Sequence, residues 1–199
     1  MKVTRGRRLL AACLLLLAIS AGGATYAATT AKGVSSGTLS RISARGTLIK
    51  LPRADRRAKR LRGSGITVVT LLGTAGGENL YRVGQQSGHA CYGAGRTGAK
   101  WPLGVITCRI ASPYFPSPEM PILDMSGAGM EWGHGPMHFL QVAGVAADGV
   151  ASIGILDENG TVIESIPVHG NIYGASSLPA DAVSLQARDA SDHVLTQVP

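Results

Sequence analysis

From Gly63 to the C-terminus, short apolar and β-branched runs alternate with Gly, Pro, Asn and Asp, and no stretch holds the 3.6-residue period of an amphipathic helix. The pattern predicts strands over residues 66–72, 80–83, 90–93, 105–110, 137–145, 150–156, 161–168, 182–188 and 193–197. Asp157-Glu158-Asn159-Gly160 sits between two of these runs and contains Asn-Gly, the strongest short hairpin signal. Asp148-Gly149 reads as a second turn. Val183, Leu185 and Ala187 alternate with Ser184, Gln186 and Arg188, which predicts a strand with one face in the core and the other wet.

Strands of this length and spacing, with turn residues between them, predict an all-β fold and, more narrowly, an immunoglobulin-like β-sandwich over residues 63–199. That span is long enough for one domain with a real core. The periodicity fails between Trp101 and Pro136, where six of the ten prolines fall together with Trp101, Tyr114, Phe115 and Trp132. A long Pro- and aromatic-rich loop of this kind is either a binding element or a cover over one end of the sheets.

The N-terminus changes the picture. Lys2, Arg5, Arg7 and Arg8 precede an apolar run over 9–19, and small residues follow up to Ala27. Residues 1–27 therefore read as a signal peptide cut after Ala27, or as a signal anchor, since 9–28 is about the 20 residues a bilayer-spanning helix needs. The Leu10-Ala11-Ala12-Cys13 sequence lies too close to Arg8 for a lipoprotein signal, and Arg7-Arg8 is only a fragment of a twin-arginine one. The expected location is secreted or in the cell envelope, with or without an uncleaved helix.

Charge divides the rest at Gly63. Residues 28–62 hold ten Lys or Arg against Asp55 alone, whereas residues 63–199 hold five basic residues against eleven acidic ones. Few large apolar side chains lie in 28–62, which predicts a mostly disordered basic stalk with one short helix over 54–62 after Pro52. Outside a cell such a stalk suits an anionic envelope surface, either lipid headgroups or wall polymers. Nucleic acid is not an expected physiological partner, because the stalk has no interleaved aromatic residues for stacking on bases and the chain carries an export signal.

Cys91 and Cys108 are the two cysteines left after the signal, and an oxidising compartment predicts a disulfide between them. Glu131, His134 and His138, flanked by Met130 and Met137, are the sharpest candidate metal ligands, although Gly133, Gly135 and Pro136 forbid the helix that would align the two rings. Trp101, Tyr114, Phe115 and Trp132 are candidate platforms for a carbohydrate or peptide ligand. Asp124 and Glu131 are the one carboxylate pair that sugar cleavage would call for. There is no GxSxG elbow, Ser112, Ser117 and Ser126 have no pattern linking them to a histidine and an acid, and the Gly-rich turns at 73–77 and 93–95 lack a GK[ST] ending.

Cys91-Tyr92-Gly93, Phe115-Pro116-Ser117-Pro118, Pro121-Ile122-Leu123-Asp124, the run from Gly144 to Val150 and the run from Pro167 to Tyr173 together resemble exported or membrane-anchored proteins of high-GC Gram-positive bacteria. The resemblance spans about residues 66–190 and implies an immunoglobulin-like tail and an envelope location. It brings no activity with it. The expectation is therefore a non-enzymatic envelope protein without a cofactor, a disulfide-containing binding module near the membrane or wall. The alternative is an extracellular metal-binding protein or metal-dependent hydrolase using His134, His138 and Glu131.

Overall fold

The computed structural model describes residues 34–51, 53, 55–86, 89–108, 114–126, 130–131 and 138–198. The 9–28 segment read as signal or anchor lies outside them, and among the described residues no helix is long and apolar enough to cross a membrane. In chain order the elements are helix α1 (Ser36–Leu39), strand β1 (Thr47–Ile49), helix α2 (Arg56–Gly63), and strands β2 (Val69–Ala75), β3 (Glu78–Gln86), β4 (His89–Arg96), β5 (Val105–Cys108), β6 (Ile122–Asp124), β7 (Met130–Glu131), β8 (His138–Phe139), β9 (Val142–Ala146), β10 (Ser152–Leu156), β11 (Val162–Pro167), β12 (Ile172–Ala175), β13 (Ser184–Arg188) and β14 (Val194–Val198). Strands β1 to β5 pair in chain order as an antiparallel meander. A four-stranded sheet runs β11-β10-β13-β14, a three-stranded sheet runs β12-β9-β6, and β7 pairs with β8.

The last two larger sheets form a β-sandwich. Val142, Ala146 and Tyr173 from the three-stranded sheet meet Ile153, Ile155, Leu185 and Ala187 from the four-stranded one. Leu123, Ala143 and Val145, on the opposite face of the three-stranded sheet, pack against Leu80, Tyr92 and Ala94 of the meander. β9 is thus the centre of three β layers and all five of its residues are buried. Gly144 sits between Tyr173 on one side and Asp124 on the other in the ladder. A Cβ there would run into the Tyr173 ring and the Leu123 carbonyl, so the ring lies over the space that the glycine leaves.

Residues 34–62 differ from the expected disordered stalk. Leu39 is buried in the sandwich core and Val34 packs beside it, while Ile42 joins the core between the meander and the three-stranded sheet. Thr47–Ile49 adds the edge strand β1 to β2. The anchor is Asp148, whose carboxylate accepts hydrogen bonds from Arg41 Nε (2.9 Å), Ser43 N–H (3.0 Å), Ser43 Oγ (2.9 Å) and Asn171 Nδ2 (2.9 Å). Asn171 Oδ1 in turn accepts from Ala44 N–H. A few of the strap's polar groups, Arg41, Ser43 and the Ala44 N–H, thus tie it to the domain, while most of its basic side chains stay exposed. The short helix expected after Pro52 is α2, capped by Asp55, whose carboxylate accepts from the N–H groups of Arg57 and Ala58.

Other expectations are refined. The 137–145 run divides at Leu140 and Gln141 into β8 and β9, which belong to different sheets. β1, β6, β7 and β12 are strands the pattern did not announce, and β6 and β7 fall inside the expected long loop. The face of β13 expected to be wet is covered, with Ser184 7% and Gln186 9% exposed; Arg188 donates to Gln186 Oε1 and Gln197 Nε2 donates to Ser184 Oγ. The β10–β11 hairpin forms where Asn-Gly places it, but only Gly160 (φ 76°) enters the left-handed region and Asp157 accepts from the Asn159 and Thr161 N–H groups. The Cys91–Cys108 disulfide is formed between ladder partners of β4 and β5 with Cα atoms 4.4 Å apart, and ties down the edge strand β5.

Two outcomes follow from this packing. Gly144→Ala should lower unfolding free energy by about 1–3 kcal/mol, the usual cost of overpacking, read from denaturant midpoints at unchanged slope. For Asp148, burial alone would raise the carboxyl, but the Ser43, Asn171 and Arg41 donors outweigh it and hold it below the ordinary value of 3.8. A depressed folded value means the strap's contribution is complete above the ordinary carboxylate range and lost as pH falls through the lower folded value. Asp148→Ala should remove that acid-side transition and expose Arg41, Arg45 and Lys50 to trypsin at neutral pH. An unchanged cleavage rate would show that the strap is held by something else.

Candidate binding site

Helix α2 lies over the face of the meander that the three-stranded sheet leaves free. Its Ala58 is fully buried, and Leu61 packs with Trp101 against a core of Val69, Tyr81, Val83, Cys91 and Leu103. With those positions turned inward, the arginines are left on the outer side. Between α2 and the β4–β5 connection is an open groove of about 1320 Å³, lined by Arg56, Arg57, Arg60, Arg96, Lys100 and Trp101. Its one acidic lining residue, Asp55, is engaged as the helix cap.

Trp101 is half-buried and does two jobs. One part of its surface packs on the core beneath. Arg57 stacks over the ring with its guanidinium carbon 5.8 Å from the centroid. The other four cations have no carboxylate within ion-pair distance among the described residues. Close packing fixes the connection that carries Trp101: Gly104 N–H donates to the Ala94 carbonyl at 2.7 Å, and a Cβ on Gly95 would overlap the Pro102 carbonyl. A concave surface with five cations around one aromatic ring attracts anions and offers a flat apolar face beside them.

The remaining aromatic candidates part company. Phe115 is 6% exposed and meets Tyr92 edge to face at 5.0 Å, so it is a core residue and not a ligand platform. Tyr114 is half-buried and engaged with other residues, and Trp132 lies outside the described residues. Of the metal candidates, Glu131 and His138 are ladder partners across β7 and β8, while His134 lies outside the described residues. His138 Nδ1 is buried and has no hydrogen-bond partner among the described residues, and no cluster of three or more His, Cys, Asp or Glu occurs among them.

Ser126 belongs to a polar cluster that the residue pattern did not reveal. Its hydroxyl donates to Asp124 (2.7 and 2.9 Å to the two oxygens), and the side chain is buried. Burial pushes the Asp124 carboxyl up despite the donors from Ser126, Met125 and Ala143. Tyr173, fully buried opposite, is pushed well above its ordinary value by burial and by the Asp124 charge, and its hydroxyl has no partner among the described residues.

The residue pattern treated the arginines of 53–62 and Trp101 as separate features. The available signal is Asp55 followed by inward Ala58 and Leu61 at a three-residue spacing, which marks a capped helix with a buried face but does not name Trp101 as its neighbour. No family model, curated protein or solved structure matches the chain.

A carboxyl raised on folding weakens the fold as pH rises from its unfolded value toward its folded one, since ionisation is then easier in the unfolded chain. Asp124→Asn keeps an acceptor for Ser126 and has no charge to bury. It should match the wild type in acid and be the more stable of the two at neutral pH. Urea unfolding across pH 3 to 8, extrapolated linearly to water, checks this, and a mutant that is less stable at neutral pH would contradict the charge assignment.

Proposed function

We propose that this is an exported, non-enzymatic envelope protein that holds an acidic cell-wall polymer in the groove between α2 and Trp101. The single observation that carries the proposal is the ring of five cations, none neutralised by an ion pair among the described residues, around a half-exposed tryptophan. A concave groove suits a chain better than a flat bilayer surface, and a ring stacked by Trp101 suits a sugar-bearing one. The export signal and the disulfide support the compartment.

The finer fold assignment belongs to the same reading. From β6 to β14, leaving aside the β7–β8 hairpin, seven strands divide into sheets of three and four, with the chain crossing between them from β9 to β10, from β11 to β12 and from β12 to β13. That count and crossing pattern support an immunoglobulin-like sandwich, with the meander and strap added to its three-stranded face.

The probes are polygalacturonate, poly(glycerol phosphate), phosphatidylglycerol vesicles and neutral dextran. The full chain should bind polygalacturonate in a salt-sensitive, saturable manner and ignore dextran. Arg57→Gln/Arg60→Gln/Lys100→Gln should weaken binding about ten- to hundred-fold, at up to about 1 kcal/mol per cation near an anionic surface. Trp101→Ala should weaken polygalacturonate more than poly(glycerol phosphate). Binding to vesicles alone, or equal loss on both polymers in the Trp101 variant, would overturn the sugar-bearing polymer as the partner.

A further inference from the structure

A second cavity lies on the opposite face of the meander, where the strap crosses it beyond the edge of the three-stranded sheet. It measures about 320 Å³ and is bounded by Ser40, Arg41 and Ile42 of the strap and by Thr70, Arg82 and Tyr92 of the meander, with Val68 and Pro116 at its sides. We propose that it is a binding pocket for a small monocarboxylate with an apolar body, and that Arg82 is its anion receptor.

Arg82 faces Tyr92 across the β3–β4 ladder, and β3 bulges immediately afterwards, where Gly84 takes φ 115° and the pairing skips a residue. By the pleat of β3, Tyr81 and Val83 face the core beneath α2, whereas Leu80 and Arg82 face the other side, where Arg82 lines the cavity. Its Nη2 donates to the Ile42 carbonyl at 3.1 Å, and the guanidinium also hydrogen-bonds the buried Tyr92 hydroxyl. These two contacts hold the fork in place and leave N–H groups over. Neither partner is charged, and no carboxylate lies within ion-pair distance of Arg82 among the described residues. A partly buried guanidinium without a counter-charge is an unfavourable arrangement that a carboxylate, matched to its fork, relieves.

The size and charge of the cavity narrow the ligand class. At about 30 Å³ per water-sized group there is room for roughly ten non-hydrogen atoms. The second cation at the rim, Arg41, is already neutralised by Asp148, so the pocket carries one net positive charge and favours a monoanion over a dianion. Ile42, Val68, Ala90 and Pro116 supply apolar wall for the body of the ligand, and the Val68 side of the cavity is open to solvent. Thr70 is a further polar residue of the lining.

The test uses the full chain with sodium benzoate, its uncharged isostere benzamide, and inorganic phosphate, followed by titration calorimetry and by Tyr92-sensitive near-ultraviolet circular dichroism. Benzoate should bind saturably at one site in the millimolar range or tighter, with benzamide and phosphate at least ten-fold weaker. Arg82→Gln should lose benzoate binding while retaining polygalacturonate binding, which depends on the other face of the meander. If Arg82→Gln fails to fold, Arg82→Lys keeps the charge without the fork and should weaken benzoate at least five-fold. Benzamide binding as well as benzoate, absence of saturable benzoate binding by the folded wild type, or unchanged benzoate affinity in the folded Arg82 variants would each overturn the proposal. Loss of polymer binding alone would overturn only the groove assignment.

Discussion

β9 has to be dry on both faces, and the other layers are arranged by that requirement. Val142 and Ala146 face the four-stranded sheet, whereas Ala143 and Val145 face the meander. A strand in this position can carry no alternation of polar residues, because either face would bury an unpaired polar group at a cost of roughly 1–3 kcal/mol. Gly144 at its midpoint makes room for the Tyr173 ring, which lies over β9 where a side chain would otherwise stand. The meander is thus not an appendage to the sandwich, since without it half of β9 would be exposed apolar surface.

The strap is held in a different way. Its apolar residues come singly, so hydrophobic burial is spread over Val34, Leu39 and Ile42 at separate points, and the gaps between them are closed by Asp148 and Asn171. One carboxylate with four donors is worth more than four surface hydrogen bonds, because the acceptor is ionised and mostly removed from solvent, with 11% of its side chain exposed. Asn171 can orient toward it because it occupies the left-handed region (φ 67°), which asparagine tolerates better than most residues. The docked strap then leads into β1 and α2, so the groove beside Trp101 has one wall from the strap end of the chain and one from the β4–β5 connection.

This arrangement reverses the meaning of the charge division in the chain. Ten basic residues in 28–62 look like a free polycation, yet those on α2 are placed at fixed positions by Ala58 and Leu61. Arg57 stacks on Trp101, and Arg41 is neutralised by Asp148, so the cations differ in availability although they are neighbours in the chain. The proposed polymer groove and carboxylate pocket lie on opposite faces of the same sheet, and the strap contributes to both.

What could be read from residue order was the local part. Short β-branched runs and Gly-containing turns specify an all-β class, and a proline, an aspartate and spaced alanine and leucine specify a short helix, because each depends on nearby backbone chemistry; the two cysteines were legible as a pair. The buried polar face of β13, the docking of the strap and the meeting of α2 with Trp101 could not be read that way. Each depends on partners far along the chain, Ser43 with Asp148 or Arg57 with Trp101, and only the packing of the layers brings such pairs within hydrogen-bonding or stacking distance.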